Sequence, residues 1–211
     1  MSETIVYHYL DLGRLGRGEV VKSDKSAECY SLFMRDIGLD FETVRYPYDS
    51  TWPATKEKLR NDGLSPTGLL PIIEYKGTKL SQHIPILRYL SREHGGYDGD
   101  TSYEKYIVDR VADLYNDWRT AWVASLGGAS DDYKNKIVPQ YYALVGKYYA
   151  ESQGPYLLGD KISYTDFAVF QSIDNERRTK TLPDNLPESL QKLVDAMNER
   201  PNIAAFIRET A

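Results

Sequence analysis

The stretch from Gly68 to Leu90 constrains the fold more than any other. Pro71 opens the apolar run Ile72-Ile73-Glu74-Tyr75. A proline is tolerated at the first position of a strand, where its missing N–H does least harm. Gly77 marks a tight turn, and Leu80 and Ser81 return antiparallel. Ser81-Gln82 then leads into a helix with Ile84, Leu87 and Leu90 on its apolar face. Pro85 falls in the first turn, which needs no intrahelical N–H. Leu70, preceding a proline, is driven into an extended conformation. Its N–H and C=O are therefore candidates to pair with an added peptide strand. A few residues on, the helix N-terminus offers free N–H groups to a carboxylate. A peptide clamp and an anion site thus sit side by side. Taken alone, the stretch reads equally well as a hairpin packed on a helix.

The rest of the chain is soluble in character. Its 211 residues suffice for one large or two small domains with a real core. Hydrophobic content of 41% and charged content of 27% read as globular. A net charge of −5 with no basic run argues against a nucleic-acid partner. No apolar run of membrane length and no charged-then-apolar leader is evident, so no membrane partner is expected and the cytoplasm is the default location. Cys29 is the only cysteine, which rules out an internal disulfide and fits a reducing compartment. His8, His83 and His94 are too scattered for a metal cluster, and no metal is expected.

Ile5 to Leu10 is a strand signal, with Tyr7 and Tyr9 on one face and His8 on the other. Gly13, Gly16 and Gly18 form a loop carrying Arg14 and Arg17, and their spacing is not that of a dinucleotide fingerprint. Two registers compete for the first helix. One begins at the glycine loop; the other takes Ser26 to Gly38 as the whole helix, with Gly38 as its stop, and leaves Lys22 to Ser31 as extra length. Leu39 to Tyr46 alternates as a second strand. Thr51 or Ser50 caps a following helix, with Pro53 near its first position. Trp52 and Lys56 share a face of that helix and are donors suited to a carboxylate. The plainer reading is a tryptophan packed over a lysine stem.

Residues 93–101 are rich in Gly and Asp and read as a linker. Beyond it every pattern is helical. From Tyr103 to Trp122 the apolar residues Ile107, Val111, Leu114, Trp118 and Trp122 recur. Asp109, Asp113 and Asp117 lie opposite at i, i+4 spacing, where like charges repel and call for a cation. Water and salt usually supply it; a divalent-cation site at Asp109 is the remote option. Lys134 to Ala150 is a helix whose tyrosines (141, 142, 148 and 149) are read as helix-packing groups. Ser163 with Asp166 forms a capping-box variant, with Ile162 and Phe167 at the staple positions. Leu190, Leu193, Val194 and Met197 give a last amphipathic helix, which Arg200-Pro201 breaks.

These motifs together resemble the tyrosine-type (sigma, alpha, mu and pi-like) glutathione S-transferases over nearly the whole chain. The resemblance implies a thioredoxin-like N-terminal domain (residues 1–92) followed by an all-α domain (residues 102–211). It implies a cis proline at Pro71, with Leu70 pairing to the cysteinyl backbone of glutathione. Gln82 and the residue at 83 would hold the γ-glutamyl carboxylate; the family has serine where this chain has His83. Gly16-Arg17-Gly18-Glu19 matches the motif that opens the first helix, so a role for Arg17 depends on the register. Tyr9 is the match for the catalytic tyrosine. Trp52 and Lys56 match positions that bind the glycine end, and Asp113 or Asp117 would reach the γ-glutamyl ammonium across a homodimer.

The chemistry that follows is thiolate activation. Only the thiolate attacks well, and a hydroxyl donated to sulfur favours the charged form. Tyr9 would donate it, with Arg14 or Arg17 adding positive potential. The co-substrate is glutathione. The second substrate is a small apolar electrophile, lying near Leu10, Asp11, Tyr115, Arg119 or Trp122. Conjugation in detoxification and a glutathione-dependent isomerisation both remain open. So do activation by Ser23, Ser26 or Cys29 and a non-catalytic regulatory or scaffold role.

Overall fold

The structure, a computed structural model, describes residues 4–11 and 28–210. Arg14, Arg17, Ser23, Ser26 and the glycine loop lie outside the described residues. Strand β1 (Ile5–Asp11) runs parallel to β2 (Phe41–Pro47) and antiparallel to β3 (Ile72–Tyr75), and β4 (Thr78–Ser81) pairs with β3. The sheet order is β2-β1-β3-β4. Ile5, Tyr7, Ile72 and Ile73 are fully buried in the two central strands. At the edge, β2 carries Glu42 and Arg45 and is largely exposed, as edge strands tend to be.

Helix α1 (Cys29–Asp36) lies within the later of the two registers read from the sequence. It stops as expected. Gly38, at φ +72°, donates its N–H to Arg35 O (3.1 Å), and Leu39 N–H reaches Met34 O (2.9 Å), the paired bonds of a Schellman motif. The β3–β4 turn places Lys76 at φ +49° and Gly77 at φ +70°, the two left-handed residues of a hairpin turn whose twist suits the strands. Gly68 is obligatory for packing as well as for its φ of +67°. A Cβ there would fall 2.6 Å from Lys56 O on α2 (Trp52–Asn61).

After α3 (His83–His94) the chain is helical: α4 (Ser102–Ser125), α5 (Val138–Ala150, entered through a π-helical turn at Tyr133–Ile137), α6 (Tyr164–Thr179), α7 (Glu188–Glu199) and α8 (Pro201–Thr210). A sheet unit followed by a helical C-terminal domain is the architecture the resemblance implies. The buried face of α4 differs from the one the spacing suggested. Val108, Ala112 and Tyr115 join Val111, Trp118 and Trp122 in the core, and Ile107 and Leu114 are only partly buried. Apolar residues occupy two adjacent rows of this helix, so period alone does not choose between them.

Helix α6 is buried along nearly its whole length and packs on α1 and α4. Phe33 of α1 meets Phe167 of α6 edge-on at 5.3 Å. Arg200 grips Asp36 through Nε and Nη2, each at 2.6 Å, and the Tyr97 hydroxyl donates to the same carboxylate at 2.9 Å. These contacts tie the sheet unit to the C-terminal helices. Tyr141, Tyr142 and Tyr149 are buried between helices as expected. Tyr148 is not; it is partly exposed beneath the Arg110 guanidinium, 3.8 Å from the ring centroid.

Candidate functional site

The last paired rung across three strands is His8–Ile72–Ser81. The residues one step beyond it are Tyr9, Pro71 and Gln82. Sheet register therefore carries three positions from distant parts of the chain to one edge. The Leu70–Pro71 peptide is cis. No backbone hydrogen bond among the described residues engages Leu70. Gln82 has φ 75° and ψ 134°, a left-handed conformation that a non-glycine residue rarely adopts. Such outliers concentrate where a ligand is held. His83 opens α3 immediately after it, and helix geometry leaves its N–H without an intrahelical partner.

Tyr7 and Tyr9 do share a face, with rings stacked at 5.6 Å, and His8 turns the other way to Tyr46 and Glu74. Their hydroxyls differ. The Tyr7 hydroxyl donates to Glu28 Oε2 at 2.9 Å, and Arg45 forks onto the same carboxylate at 2.8 and 3.2 Å. The Tyr9 hydroxyl instead accepts from Arg119 Nη2 at 3.4 Å, which leaves its proton free to donate elsewhere. Burial pushes the Tyr9 phenol above its ordinary value, although Arg119 pulls the other way. The hydroxyl thus stays protonated at neutral pH.

Arg119 is partly exposed and forms no ion pair with a carboxylate among the described residues. The resemblance named it only as a neighbour of the electrophile; the structure brings it to the tyrosine itself. One signal was available: a cation one turn after Tyr115 on an otherwise aromatic face. Arg45 had no such signal, because its place beside Tyr9 depends on strand register.

Cys29 is fully buried at the start of α1, and burial pushes its thiol well up despite the nearby Arg119. That environment disfavours the thiolate a cysteine nucleophile needs. Trp52 and Lys56 stand on α2, partly exposed; the Trp52 ring lies 5.4 Å from Tyr48. Asp113 and Asp117 are exposed, each two positions from Tyr115 and so on the opposite side of α4 from the aromatic face. Asp109 is engaged by Arg88 Nε at 3.0 Å and by the Tyr164 hydroxyl, so protein groups supply its charge compensation. Among the described residues no group of His, Cys, Asp and Glu is arranged to hold a metal ion.

His83 is the departure from the family serine. Its ring turns inward, with Nδ1 2.6 Å from the Tyr30 hydroxyl and Nε2 3.1 Å from that of Tyr115. Burial, and then Arg119, hold its pKa well below the ordinary 6.5. The groups facing it are Cys29, Tyr30, Tyr115 and Arg119. A depressed histidine pKa means that the unfolded chain binds the extra proton as pH falls through 6.5. Stability from this group is therefore full above that value and is lost below it, by up to about 1.4 kcal/mol per pH unit. Urea unfolding of wild type and His83→Gln between pH 5 and 7 should show a shallower pH slope in the variant. Equal slopes would mean that His83 titrates alike in both states.

Residues 116–210 match the family model "Glutathione S-transferase, C-terminal domain". The chain is 30% identical to probable glutathione S-transferase 7 of Caenorhabditis elegans, over 72% of this chain and 75% of that protein. It is 28% identical to glutathione S-transferase 1 of Ascaris suum, over 95% and 94% of the two chains. Among solved structures it resembles the glutathione S-transferase of Ascaris lumbricoides, with a TM-score of 0.73 and 26% identity over 99% and 98% of the chains. A Pi-class enzyme of Onchocerca volvulus shares the fold at a TM-score of 0.77 and 22% identity, over 98% of this chain and 93% of that one. Both halves of the molecule, the cis-proline edge and the capped helical domain, are thereby accounted for: this chain belongs to the glutathione S-transferase family.

Proposed function

We propose that the protein is a glutathione transferase that activates the glutathione thiol at Tyr9 for attack on a small apolar electrophile. The observation that carries this reading is the Tyr9 hydroxyl, protonated, unspent as a donor among the described residues and backed by the Arg119 guanidinium. A glutathione cysteinyl group paired with the Leu70 backbone would bring its sulfur to the same sheet edge. The thiol loses its proton to solvent water, the resulting thiolate accepts the Tyr9 O–H, and Arg119 adds positive potential behind the phenol oxygen. The sulfur lone pair then forms the new bond to the electrophile as its leaving group departs. Gln82 and the His83 N–H would take the γ-glutamyl carboxylate, and Trp52 and Lys56 the glycine carboxylate. Retention on immobilised glutathione, with turnover of an aryl halide, tests the reading. Retention without turnover would favour a binding module.

The domains are proposed to divide as residues 1–92 and 102–211, with glutathione bound mainly by the first. The assembly is proposed to be a homodimer. Asp113 and Asp117 face away from their own chain's Tyr9 edge, so a role for either at the γ-glutamyl ammonium needs a partner copy. Large aromatics on the first turns of α4 support this: Tyr103 and Tyr106 are 69% and 55% exposed. Sedimentation at micromolar concentration should give a dimer, and a monomer throughout would sink the proposal. Asp113→Asn should weaken glutathione binding roughly ten- to hundredfold, since a charge-assisted hydrogen bond is worth about 1.5–3 kcal/mol. The fold should hardly change. An unchanged calorimetric Kd would pass the role to Asp117 or remove it. No helix among the described residues is long and apolar enough to cross a membrane. With a single cysteine, Cys29, and so no internal disulfide, a cytoplasmic role in detoxification is the reading we adopt.

A further inference from the structure

His83 sits where a hydroxyl side chain would meet the γ-glutamyl carboxylate, yet its imidazole serves other groups. The ring stacks on Tyr115 at 5.3 Å and 15° and meets the edge of Tyr30 at 4.8 Å. The Tyr115 hydroxyl donates its one proton to Gln171 Oε1 at 2.9 Å. Toward Tyr115, His83 Nε2 must then be the donor, which makes Nδ1 the acceptor for the Tyr30 hydroxyl. That hydroxyl has one proton, which it shares between Nδ1 and the His83 carbonyl oxygen, to which it also donates at 2.8 Å. Cys29 Sγ is 3.4 Å from Nε2 and lies at the margin of the same contact. Tyr30, Tyr115 and Gln171 are all buried. The hydrogen bonds therefore run without a break from α1 through the first residue of α3 to α4 and α6, across both halves of the fold. Arg119, which reaches Tyr9, stands one turn beyond Tyr115 on the same face of α4.

We propose that His83 is a positioning residue: its main chain alone serves the glutathione carboxylate, while its imidazole fixes Tyr115 and, through α4, holds Arg119 against the Tyr9 hydroxyl. This rests on the transferase reading. The family's serine would put a hydroxyl donor at the carboxylate site and leave the Tyr115 oxygen without the His83 donor, held by Gln171 alone. His83 does the reverse. The consequence is a split between binding and turnover that no purely structural role produces.

The test uses the full-length enzyme with glutathione and an aryl halide. Calorimetry gives the glutathione Kd, and ultraviolet thiolate absorbance gives the bound thiol's titration. His83→Ser should tighten glutathione binding about ten- to hundredfold, the range for one added hydrogen bond to a charged group. It should also lower kcat about tenfold and move the thiol titration to higher pH. Tyr115→Phe should lower kcat similarly with glutathione affinity unchanged, and the double variant should be no slower than the slower single one. His83→Gln, which keeps an N–H near the Nε2 position, should restore most of the lost kcat. His83→Ser that weakens glutathione binding with kcat intact would overturn the proposal, because the imidazole would then be contacting glutathione. Fully additive losses in the double variant would overturn it too. If wild type binds glutathione without turnover, the transferase reading fails, and the titration shift in His83→Ser and Tyr115→Phe still decides the positioning role.

Discussion

Tyr9→Phe is expected to raise the pKa of enzyme-bound glutathione by about one to two units, because a hydrogen bond to a charged group is worth about 1.5–3 kcal/mol. Conjugation near neutral pH should slow by roughly ten- to hundredfold as the thiolate fraction falls. Glutathione affinity should stay about the same, since the shape of the site is kept. Tyr7→Phe is the informative control. Its hydroxyl is committed to Glu28 at 2.9 Å in a fully buried setting. Its loss should leave the thiol titration alone and cost stability instead, about 1–3 kcal/mol. The measurement is thiolate absorbance against pH for wild type and both variants. An unchanged titration in Tyr9→Phe, with a shift in Ser23→Ala or Ser26→Ala, would move the chemistry into residues 12–27. No shift in any of the four would leave a protein that binds glutathione without activating it.

The second large effect concerns folding. Asp166 is fully buried at the start of α6 and accepts from the Tyr149 hydroxyl (2.8 Å), the Leu157 N–H (3.0 Å), the Ser163 N–H (2.6 Å) and the Ser163 hydroxyl (2.8 Å). The sequence motif alone suggests a helix cap worth about 1 kcal/mol. The structure shows a junction that also pins α5 and the loop before α6. Asp166→Ala would strand several buried donors, each costing about 1–3 kcal/mol when left unpaired. We expect a loss of about 3–5 kcal/mol in urea unfolding, a large share of the stability of an ordinary domain. Ser163→Ala, which removes only the hydroxyl, should cost about 1 kcal/mol. If the two variants unfold alike, the wider junction carries no energy beyond the cap.

Both predictions begin from motifs that were legible as sequence, and the reason is local. Pro71, Gly77 and the Ser163–Asp166 pair each act on backbone within a few residues, so their meaning survives without a tertiary context. The same holds for Gly38, whose left-handed conformation ends α1. The alternation of β1 likewise put Tyr7 and Tyr9 on one face before any fold was known. The pattern ran out wherever two readings had the same period. The rows Ile107–Leu114 and Val108–Tyr115 on α4 are both apolar, and the packing of α6, α5 and His83 against the helix selects the second.

What the sequence determined by itself was the family architecture and the cis-proline turn with the helix start that follows it, because turn residues, caps and the X-Pro bond act through short-range sterics and hydrogen bonds. What only the tertiary structure decided was the division of labour around that edge. Tyr7 and Tyr9 are equivalent in spacing, but Glu28 takes the proton of one and Arg119 backs the oxygen of the other. His83 stands at a position proposed for binding in the linear motif, but its ring is drawn inward by Tyr30 and Tyr115. Those partners stand 53 and 32 positions away along the chain, and contacts at such separations exist only once strand register and helix packing have brought the groups together.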